Sequence, residues 1–319
     1  MSVCLCCGKP LTGASEKQWH KSCIRRFFGT QKLPQLEISE ELLQELATES
    51  TSKGYTVPGV QKKLSLHLSK DGEPRLTLIN YPTGYILKPQ SDEYEALPEL
   101  EYLTMRLAQI SGIGTVPFAL VELGENRQAY ITKRIDRADG KRLAMEDFCQ
   151  LDGRLTEDKY RGSYERCGKI VKQYSANPGI DLAELFLRIV FSYVVGNSDM
   201  HLKNFSLIET EEGSGEYRLS EAYDLLSVNI VLPTDTEQLA MPLNGKKQNL
   251  RRKDFLTFGK NIGIPDRSAE KMMQKIADME SRYAEYIRAA ILPEKMKKDM
   301  IQLIHDRTAE LYPASARLN

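Results

Sequence analysis

The chain has 319 residues, with 44 Lys and Arg against 44 Asp and Glu, so its formal net charge is zero. This balance excludes a global electrostatic attraction to nucleic acid or to membranes, and any basic surface must be local. No apolar run approaches the roughly 20 residues that cross a bilayer, and the N-terminus "MSVCLCCGKP" lacks a signal-peptide pattern, so a cytoplasmic protein without a membrane partner is expected. Single cores stop growing at about 250 to 300 residues, so the chain should form two lobes.

A small cysteine-containing module is predicted over residues 1–34, because four of the six cysteines fall in the first 23 residues. Two pairs of candidate ligands, C-x-x-C and H-x-x-C, suit a structural Zn²⁺ and are formed by Cys4, Cys7, His20 and Cys23. The alternative is a cluster of reduced thiols that only packs. Cys149 and Cys167 lie far from this set and are expected in the core.

The second region, residues 35–137, is predicted to be a β-rich N-lobe. A helix over "ISEELLQELATES" and a loop, "TSKGYTVPGVQKK", lead into a hairpin of "LSLHLS" and "PRLTLINY" around Asp71-Gly72. The strand "GYILKPQ", the amphipathic helix "ALPELEYLTMRLAQISGI" and the strands "TVPFALVEL" and "QAYITKRID" follow. The pattern therefore indicates a mainly antiparallel sheet with a helix.

The third region, residues 138–319, is predicted to be a helical C-lobe. Its helices are expected over "AMEDFCQLDG", "RGSYERCGKIVKQYS", "DLAELFLRIVFSYVVG", "DRSAEKMMQKIADMESRYAEYIRAAI" and "PEKMKKDMIQLIHDRTAEL". The polar loop "GNSDMHLKNFS" directly follows the third of these. A β-rich lobe followed by a helical lobe is an α+β architecture, and nucleotide sites are common in the cleft of such a protein.

The polar loop carries the pattern of a phosphoryl-transfer site. Asp199 and Asn204 have the D-x-x-x-x-N spacing of a protein-kinase catalytic loop, and Asp224 follows at the end of a strand-like segment, where a kinase places a metal-binding Asp. Lys88 ends an apolar strand, as the phosphate-binding lysine of kinases does, and Glu101 in the next helix either orients it or faces solvent. Taken alone, the D-x-x-x-x-N pattern is common, and its other interpretation is a capping Asp and a turn Asn.

Six segments taken together resemble the HipA family of bacterial serine/threonine kinases, the toxins of toxin–antitoxin systems. They are "TVPGVQKKLSL", "YILKPQ", "KRIDR", "EDFCQ", "VVGNSDMHLKNFS" and "AYDLLS", and the resemblance runs from about residue 50 to 310. It implies a two-lobed protein-kinase-like fold, related to the phosphatidylinositol kinases, with ATP and Mg²⁺ as cofactors. Glycines in the loop before the hairpin, Gly59 among them, would cover the ATP phosphates through backbone N–H groups.

The resemblance also implies a role for each matching residue. Asp199 would be the catalytic Asp, supported by His201, while Asn204 and Asp224 would bind Mg²⁺ and Lys88 the phosphates. The backbone of Lys133 and Ile135 would form the hinge that binds adenine. Thr56 stands where relatives autophosphorylate a serine and shut off ATP binding.

The partners that the resemblance implies are a protein substrate with a Ser or Thr acceptor, which in relatives can be an aminoacyl-tRNA synthetase, and a helix-turn-helix antitoxin that makes any DNA contact. The chain resembles a short form without the N-terminal subdomain of full-length HipA, which a small separate protein can supply. Two alternatives stay open: a catalytically silent kinase-fold regulatory or binding subunit, and a small-molecule or lipid kinase.

Overall fold

The computed structural model describes residues 3–11, 15–37, 63–70, 72–78, 84–124, 127–137 and 142–312. The chain divides into two compact units. Unit 1 contains Met1–Tyr102 and Val116–Gly140, and unit 2 contains Leu103–Thr115 and Lys141–Asn319. Within the described part of the chain, no helix has both the length and the hydropathy to cross a membrane. The helix predicted over residues 38–50 and the glycine-containing loop after it lie outside the described residues.

Unit 1 begins with a short antiparallel hairpin followed by a helix. The hairpin strands are β1 (Ser15–Glu16) and β2 (Trp19–His20), and the helix α1 (Lys21–Phe28) follows without a linker. Gly29 ends α1 in the left-handed region, at φ 70°, which is the usual end of a helix at a glycine. The cysteine-containing N-terminus therefore belongs to the same compact unit as the sheet that follows.

The main sheet of unit 1 has six strands in the order β3-β5-β4-β6-β8-β7. All neighbouring pairs are antiparallel except the parallel pair β3–β5. The predicted hairpin and the three later strands are confirmed. The strands are β3 (Gln35–Glu37), β4 (Leu64–Ser69), β5 (Arg75–Leu78), β6 (Tyr85–Pro89), β7 (Phe118–Leu123) and β8 (Arg127–Lys133).

One face of the sheet forms the core of unit 1. Leu66, Leu87 and Ile131 are fully buried there, and in β4 the buried leucines alternate with more exposed residues, as a half-buried strand requires. The predicted amphipathic helix is confirmed as α2 (Leu97–Ile110). Its first turns, through Tyr102, belong to unit 1, and its remainder belongs to unit 2.

Unit 2 is mainly helical, with a small antiparallel sheet in the order β11-β10-β9. The strands are β9 (Met145–Asp147), β10 (Ser206–Glu209) and β11 (Tyr217–Leu219). The helices are α3 (Phe148–Leu151), α4 (Tyr164–Tyr174), α5 (Pro178–Val195), α6 (Val228–Val231), α7 (Arg252–Asn261), α8 (Asp266–Ala277), α9 (Glu280–Ala289) and α10 (Glu294–Leu311).

Two of the predicted helices are wrong in extent. The first half of "AMEDFCQLDG" is strand β9, because it pairs with β10, and only α3 after it is helical. Residues 266–291 form two helices rather than one, because α8 ends at Ala277 before α9 begins. Neither Gly nor Pro marks this break, and the buried residues Ile276, Tyr283 and Ile287 keep helical spacing across it, so the sequence pattern is that of a continuous helix.

Helix α5 is the buried centre of unit 2, and its C-terminus leads directly into the polar loop. Gly196 follows it at φ 75°, a conformation that only glycine adopts without cost. Two of the last carbonyls of the helix accept hydrogen bonds from other elements: Arg307 of α10 donates to the Tyr193 oxygen at 2.5 Å, and the Ser227 hydroxyl donates to the Val195 oxygen. The start of the loop is therefore fixed by the end of α5.

Replacing Gly196 with Ala should destabilise unit 2. A Cβ at Gly196 would lie 2.5 Å from Cδ2 of Leu303, in addition to the left-handed strain. We expect a loss of about 2 kcal/mol, seen by calorimetry as a drop of about 5 °C in the melting temperature of unit 2. Gly179→Ala in the first turn of α5 is the control, because nothing lies within 4 Å of the added Cβ. Equal melting temperatures for the two variants would contradict this role of Gly196.

Candidate active site

The loop that carries Asp199 is held in a tight ring by its own hydrogen bonds. The Asp199 carbonyl accepts the His201 backbone N–H at 2.8 Å and the Asn204 side-chain Nδ2 at 2.9 Å. Residues Leu202–Asn204 form a 3₁₀ turn that leads into β10. With Nδ2 of Asn204 engaged, the amide oxygen is the atom of that side chain suited to bind a cation. The structure thus brings Asp199, His201 and Asn204 together.

Tyr160 contacts the carboxylate of Asp199, a contact that the sequence analysis missed. Its hydroxyl donates to Oδ1 of Asp199, and its ring packs edge-on against His201 with the centroids 5.0 Å apart. The carbonyl of the preceding residue, Lys159, accepts the Leu202 N–H at 3.2 Å. Burial and the charge of Asp199 raise the pKa of Tyr160, so its hydroxyl stays protonated as a donor. The segment "EDKYRGSYE" contains no motif that points to this contact.

Asp224 follows a tyrosine that anchors its segment to the same loop. The hydroxyl of Tyr223 donates to the Lys203 carbonyl at 3.1 Å and lies 2.5 Å from Oγ of Ser206. Asp224 itself has φ 58°, in the left-handed region that Asp and Asn tolerate better than most residues. The predicted strand at this point is reduced to an isolated bridge at Ala222, so Asp224 lies in irregular backbone.

The segment "EDFCQ" braces the loop from β9. Asp147 caps α3 by accepting the Gln150 N–H at 2.9 Å, while Gln150 accepts the Asp147 N–H at the same distance. The carboxylate of Asp147 also forms an ion pair with Lys203 at 3.0 Å. Asp147 and Gln150 therefore act as cap and brace.

Cys149 and Cys167, predicted for the core, are both buried.

Unit 1 contains a buried ion pair at the predicted phosphate-binding lysine. Lys88 of β6 donates to Oε1 of Glu101 in α2 at 2.5 Å, and the side chains are only 5% and 2% exposed. The Lys88 ammonium also lies 5.4 Å from the ring centroid of Tyr130. Of the two alternatives for Glu101, the structure selects the one in which it orients Lys88.

The structure gives less information on the other residues that were predicted to contact the nucleotide. The Lys133 backbone N–H donates to the Pro117 carbonyl at 2.9 Å, so a contact of adenine with Lys133 has to use another atom. Ile135 lies in the turn after β8. Gly59 and Thr56 lie outside the described residues.

The four predicted zinc ligands also come together. The ligand atoms of Cys4, Cys7, His20 and Cys23 all lie within 4.8 Å of one another. In the described residues this is the one such group of His, Cys, Asp and Glu.

A family model named HipA-like C-terminal domain matches residues 55–283, which is more than half of the chain. A protein of Sinorhizobium fredii described as "Putative kinase Y4mE" is 31% identical over 276 residues, covering 83% of this chain and 60% of that protein. A "Putative kinase" of Haemophilus influenzae is 30% identical over 286 residues, covering 80% of this chain and 79% of its own length. The Shewanella oneidensis "Serine/threonine-protein kinase toxin HipA" is 25% identical, covering 70% of this chain and 57% of its own length.

Two solved structures have a similar fold. The HipA toxin of Shewanella oneidensis, in a complex with HipB and its operator DNA, superposes with a TM-score of 0.68 and 23% identity, covering 80% of this chain and 64% of its own. The Helicobacter pylori kinase CtkA superposes with a TM-score of 0.55 and 14% identity, covering 78% and 93%. The predicted two-lobed, kinase-like α+β fold is confirmed. The chain belongs to the HipA-like kinase family, as the sequence resemblance indicated.

The Lys88–Glu101 pair generates a prediction about stability. Glu101→Gln removes the carboxylate charge that pairs with the buried Lys88 ammonium, which should lower the free energy of unfolding of unit 1 by about 3 kcal/mol. The double variant Lys88→Met with Glu101→Leu should recover most of this loss, because both charges of the pair are removed together. Chemical denaturation of the three proteins measures both effects. Glu73→Gln, in the exposed pair with Lys32, is the control and should unfold like the wild type. A single variant as stable as the wild type would contradict the account.

Proposed function

We propose that the chain is an ATP- and Mg²⁺-dependent kinase that phosphorylates serine or threonine in a protein. The observation that carries the proposal is the ring formed by Asp199 and Asn204, in which the Asn204 side chain bonds to the Asp199 carbonyl at 2.9 Å. This ring orders the D-x-x-x-x-N loop rather than leaving its residues as an unrelated cap and turn. The buried Lys88–Glu101 pair supports it from unit 1.

The residues divide the work of phosphoryl transfer. The Asp199 carboxylate orients the acceptor hydroxyl and accepts its proton. The amide oxygen of Asn204 and the carboxylate of Asp224 would hold Mg²⁺, and oxygen donors of this kind fit a hard cation that keeps most of its waters and phosphate ligands. When bound, Mg²⁺ neutralises phosphate charge. Lys88, oriented by Glu101, binds the phosphates.

The proposed nucleotide-binding and regulatory residues are supported by the resemblance to the HipA family. We propose that Gly59 covers the phosphates, that the backbone at Lys133 and Ile135 binds adenine, and that phosphorylation of Thr56 inhibits the enzyme, because a dianion in the phosphate loop repels ATP.

The biological role is proposed by analogy with the Shewanella relative, which is named a serine/threonine-protein kinase toxin. We propose a cytoplasmic toxin that is neutralised by a helix-turn-helix antitoxin and makes DNA contact only through that antitoxin. The substrate would be a cytoplasmic protein such as an aminoacyl-tRNA synthetase. This chain spans 57% of the Shewanella toxin. A catalytically silent subunit is disfavoured because Lys88, Asp199, Asn204 and Asp224 are all present.

The catalytic assignment predicts different defects for two aspartates. Asp199→Asn should bind ATP normally but lose transfer by at least about 100-fold, because the proton acceptor acts only in the transition state. Asp224→Asn should weaken Mg²⁺-dependent ATP binding as well as turnover. Calorimetric titration with ATP and Mg²⁺ measures nucleotide binding, and transfer of labelled γ-phosphate measures turnover. In a growth assay, expression of the wild type should arrest growth and expression of either variant should not. The exposed Asp299→Asn is the control. Full transfer and toxicity in Asp199→Asn would sink the assignment.

Tyr160 generates a second prediction, as a positioning residue for Asp199. Its hydroxyl donates to Oδ1 of Asp199 and so fixes the orientation of the carboxylate that would meet the acceptor hydroxyl. Tyr160→Phe should lower kcat by about 10-fold with little change in KM for ATP, since a hydrogen bond to a charged group contributes about 1.5 kcal/mol.

The pH dependence separates this role from a purely structural one. The Tyr160 hydrogen bond stabilises the charged carboxylate, so its removal should move the acid limb of the pH–rate profile to higher pH. Asp235 and Glu237 also act on the Tyr160 hydroxyl, and the variant keeps both. Loss of rate with an unmoved profile would contradict the positioning role.

A further inference from the structure

We propose that Cys4, Cys7, His20 and Cys23 bind one structural Zn²⁺, which fastens the N-terminal segment to the sheet of unit 1. This site lies outside the residues of the proposed kinase chemistry, so the two can be tested separately. Three thiols and an imidazole are a common ligand set for structural zinc, and two ligands close together at each end make chelation entropically easy.

The distances in the cluster suit a tetrahedral ion. Nδ1 of His20 lies 3.5 Å from Sγ of Cys7 and 4.0 Å from Sγ of Cys23. Tetrahedral zinc, with bonds of about 2.3 Å to sulfur and about 2.0 Å to nitrogen, separates a sulfur from a nitrogen ligand by about 3.5 Å and two sulfurs by about 3.8 Å. The observed separations need only small side-chain rotations to meet these values.

The local backbone explains why these four side chains converge. Cys4 and Cys7 lie on a tight turn, in which the Gly8 N–H donates to the Cys4 carbonyl and the Cys4 N–H donates to the Lys9 carbonyl, both at 2.8 Å. Gly8 has φ 68°, so the turn needs a residue without a Cβ. His20 ends β2, and Cys23 lies in the first turn of α1. A turn and a helix N-terminus thus present two ligands each.

Contacts around the ligands prepare them for a metal. Nε2 of His20 lies 3.2 Å from the Pro10 carbonyl, which requires the proton on Nε2 and leaves the lone pair of Nδ1 facing the sulfurs. The backbone N–H of His20 donates to Sγ of Cys4 at 3.4 Å, and Arg26 donates to Sγ of Cys23 at 3.8 Å. These donors would offset the net negative charge of three thiolates with one Zn²⁺. A disulfide among these cysteines would not explain why Nδ1 of His20 faces the sulfurs.

The segment that the metal would hold packs directly on the sheet. Phe27 and Phe28 of α1 contact Tyr85, the first residue of β6, with ring centroids 5.9 and 5.5 Å apart. The Tyr85 hydroxyl donates to the Phe27 carbonyl at 3.3 Å, and the Leu120 N–H of β7 donates to the Leu5 carbonyl at 2.9 Å. Because β6 also carries Lys88, the zinc would stabilise the strand that presents the phosphate-binding lysine.

Metal analysis of protein purified without chelator, under reducing conditions, is the test. The wild type should contain about one zinc per chain, and Cys23→Ser should lose most of it. Cys6→Ser is the matched control: Cys6 is a buried thiol in the same turn but lies outside the ligand group, so this variant should keep its zinc. Equal zinc content in the two variants would overturn the proposal.

A second measurement on the wild type covers the case in which Cys23→Ser fails to fold. Chelator-stripped protein titrated with Co²⁺ should show the strong visible absorption of a tetrahedral thiolate site, and added Zn²⁺ should bleach it and raise the melting temperature of unit 1. Stripped wild type that binds neither Co²⁺ nor Zn²⁺, or mass spectrometry showing a disulfide among these cysteines in the purified protein, would refute the site.

Discussion

The end of helix α5 is the constraint on which the candidate active site depends. The helix is buried along most of its length, so its position is set by packing, and the carbonyls of its last turn need donors that water does not provide. Arg307 and Ser227 supply two of those donors, and the guanidinium charge also suits the negative end of the helix dipole. Gly196 then turns the chain, so that Asp199 emerges from a fixed point three residues later. A buried cation far from Asp199 in sequence therefore helps to position it.

Each unit contains one ordered set of charges. In unit 2 the carboxylate of Asp199 is held by the Tyr160 hydroxyl, while Asn204 closes the loop through backbone contacts. In unit 1 the Lys88 ammonium is held by Glu101 in a nearly dry environment, where removing one partner costs more than the pair contributes. Both sets are held by contacts among the protein's own side chains and backbone. Preorganisation of this kind is what phosphoryl transfer requires, since its catalysis is mainly positioning and charge neutralisation.

Much of the fold could be predicted because hydrophobic period and turn residues mark most elements. The hairpin of β4 and β5, the strand with Lys88 and the helix with Glu101 all follow from alternation or helical spacing. The break between α8 and α9 could not be predicted, because buried residues keep helical spacing across it.

The D-x-x-x-x-N spacing indicated Asp199 and Asn204. Tyr160 was missed because it is distant in sequence and its segment has no periodicity, so that only tertiary folding brings its hydroxyl to Asp199. Glu101 remained ambiguous until its burial against Lys88 was known.

The central claim is that this site transfers phosphate to serine or threonine in a protein. The most direct measurement is phosphoamino-acid analysis after the purified chain is incubated with ATP labelled in the γ-phosphate, Mg²⁺ and a bacterial cell extract. The account predicts labelled phosphoserine or phosphothreonine in protein, which disappears when Mg²⁺ is chelated. Label found only in small molecules or lipids would contradict the account, and so would label found only as inorganic phosphate.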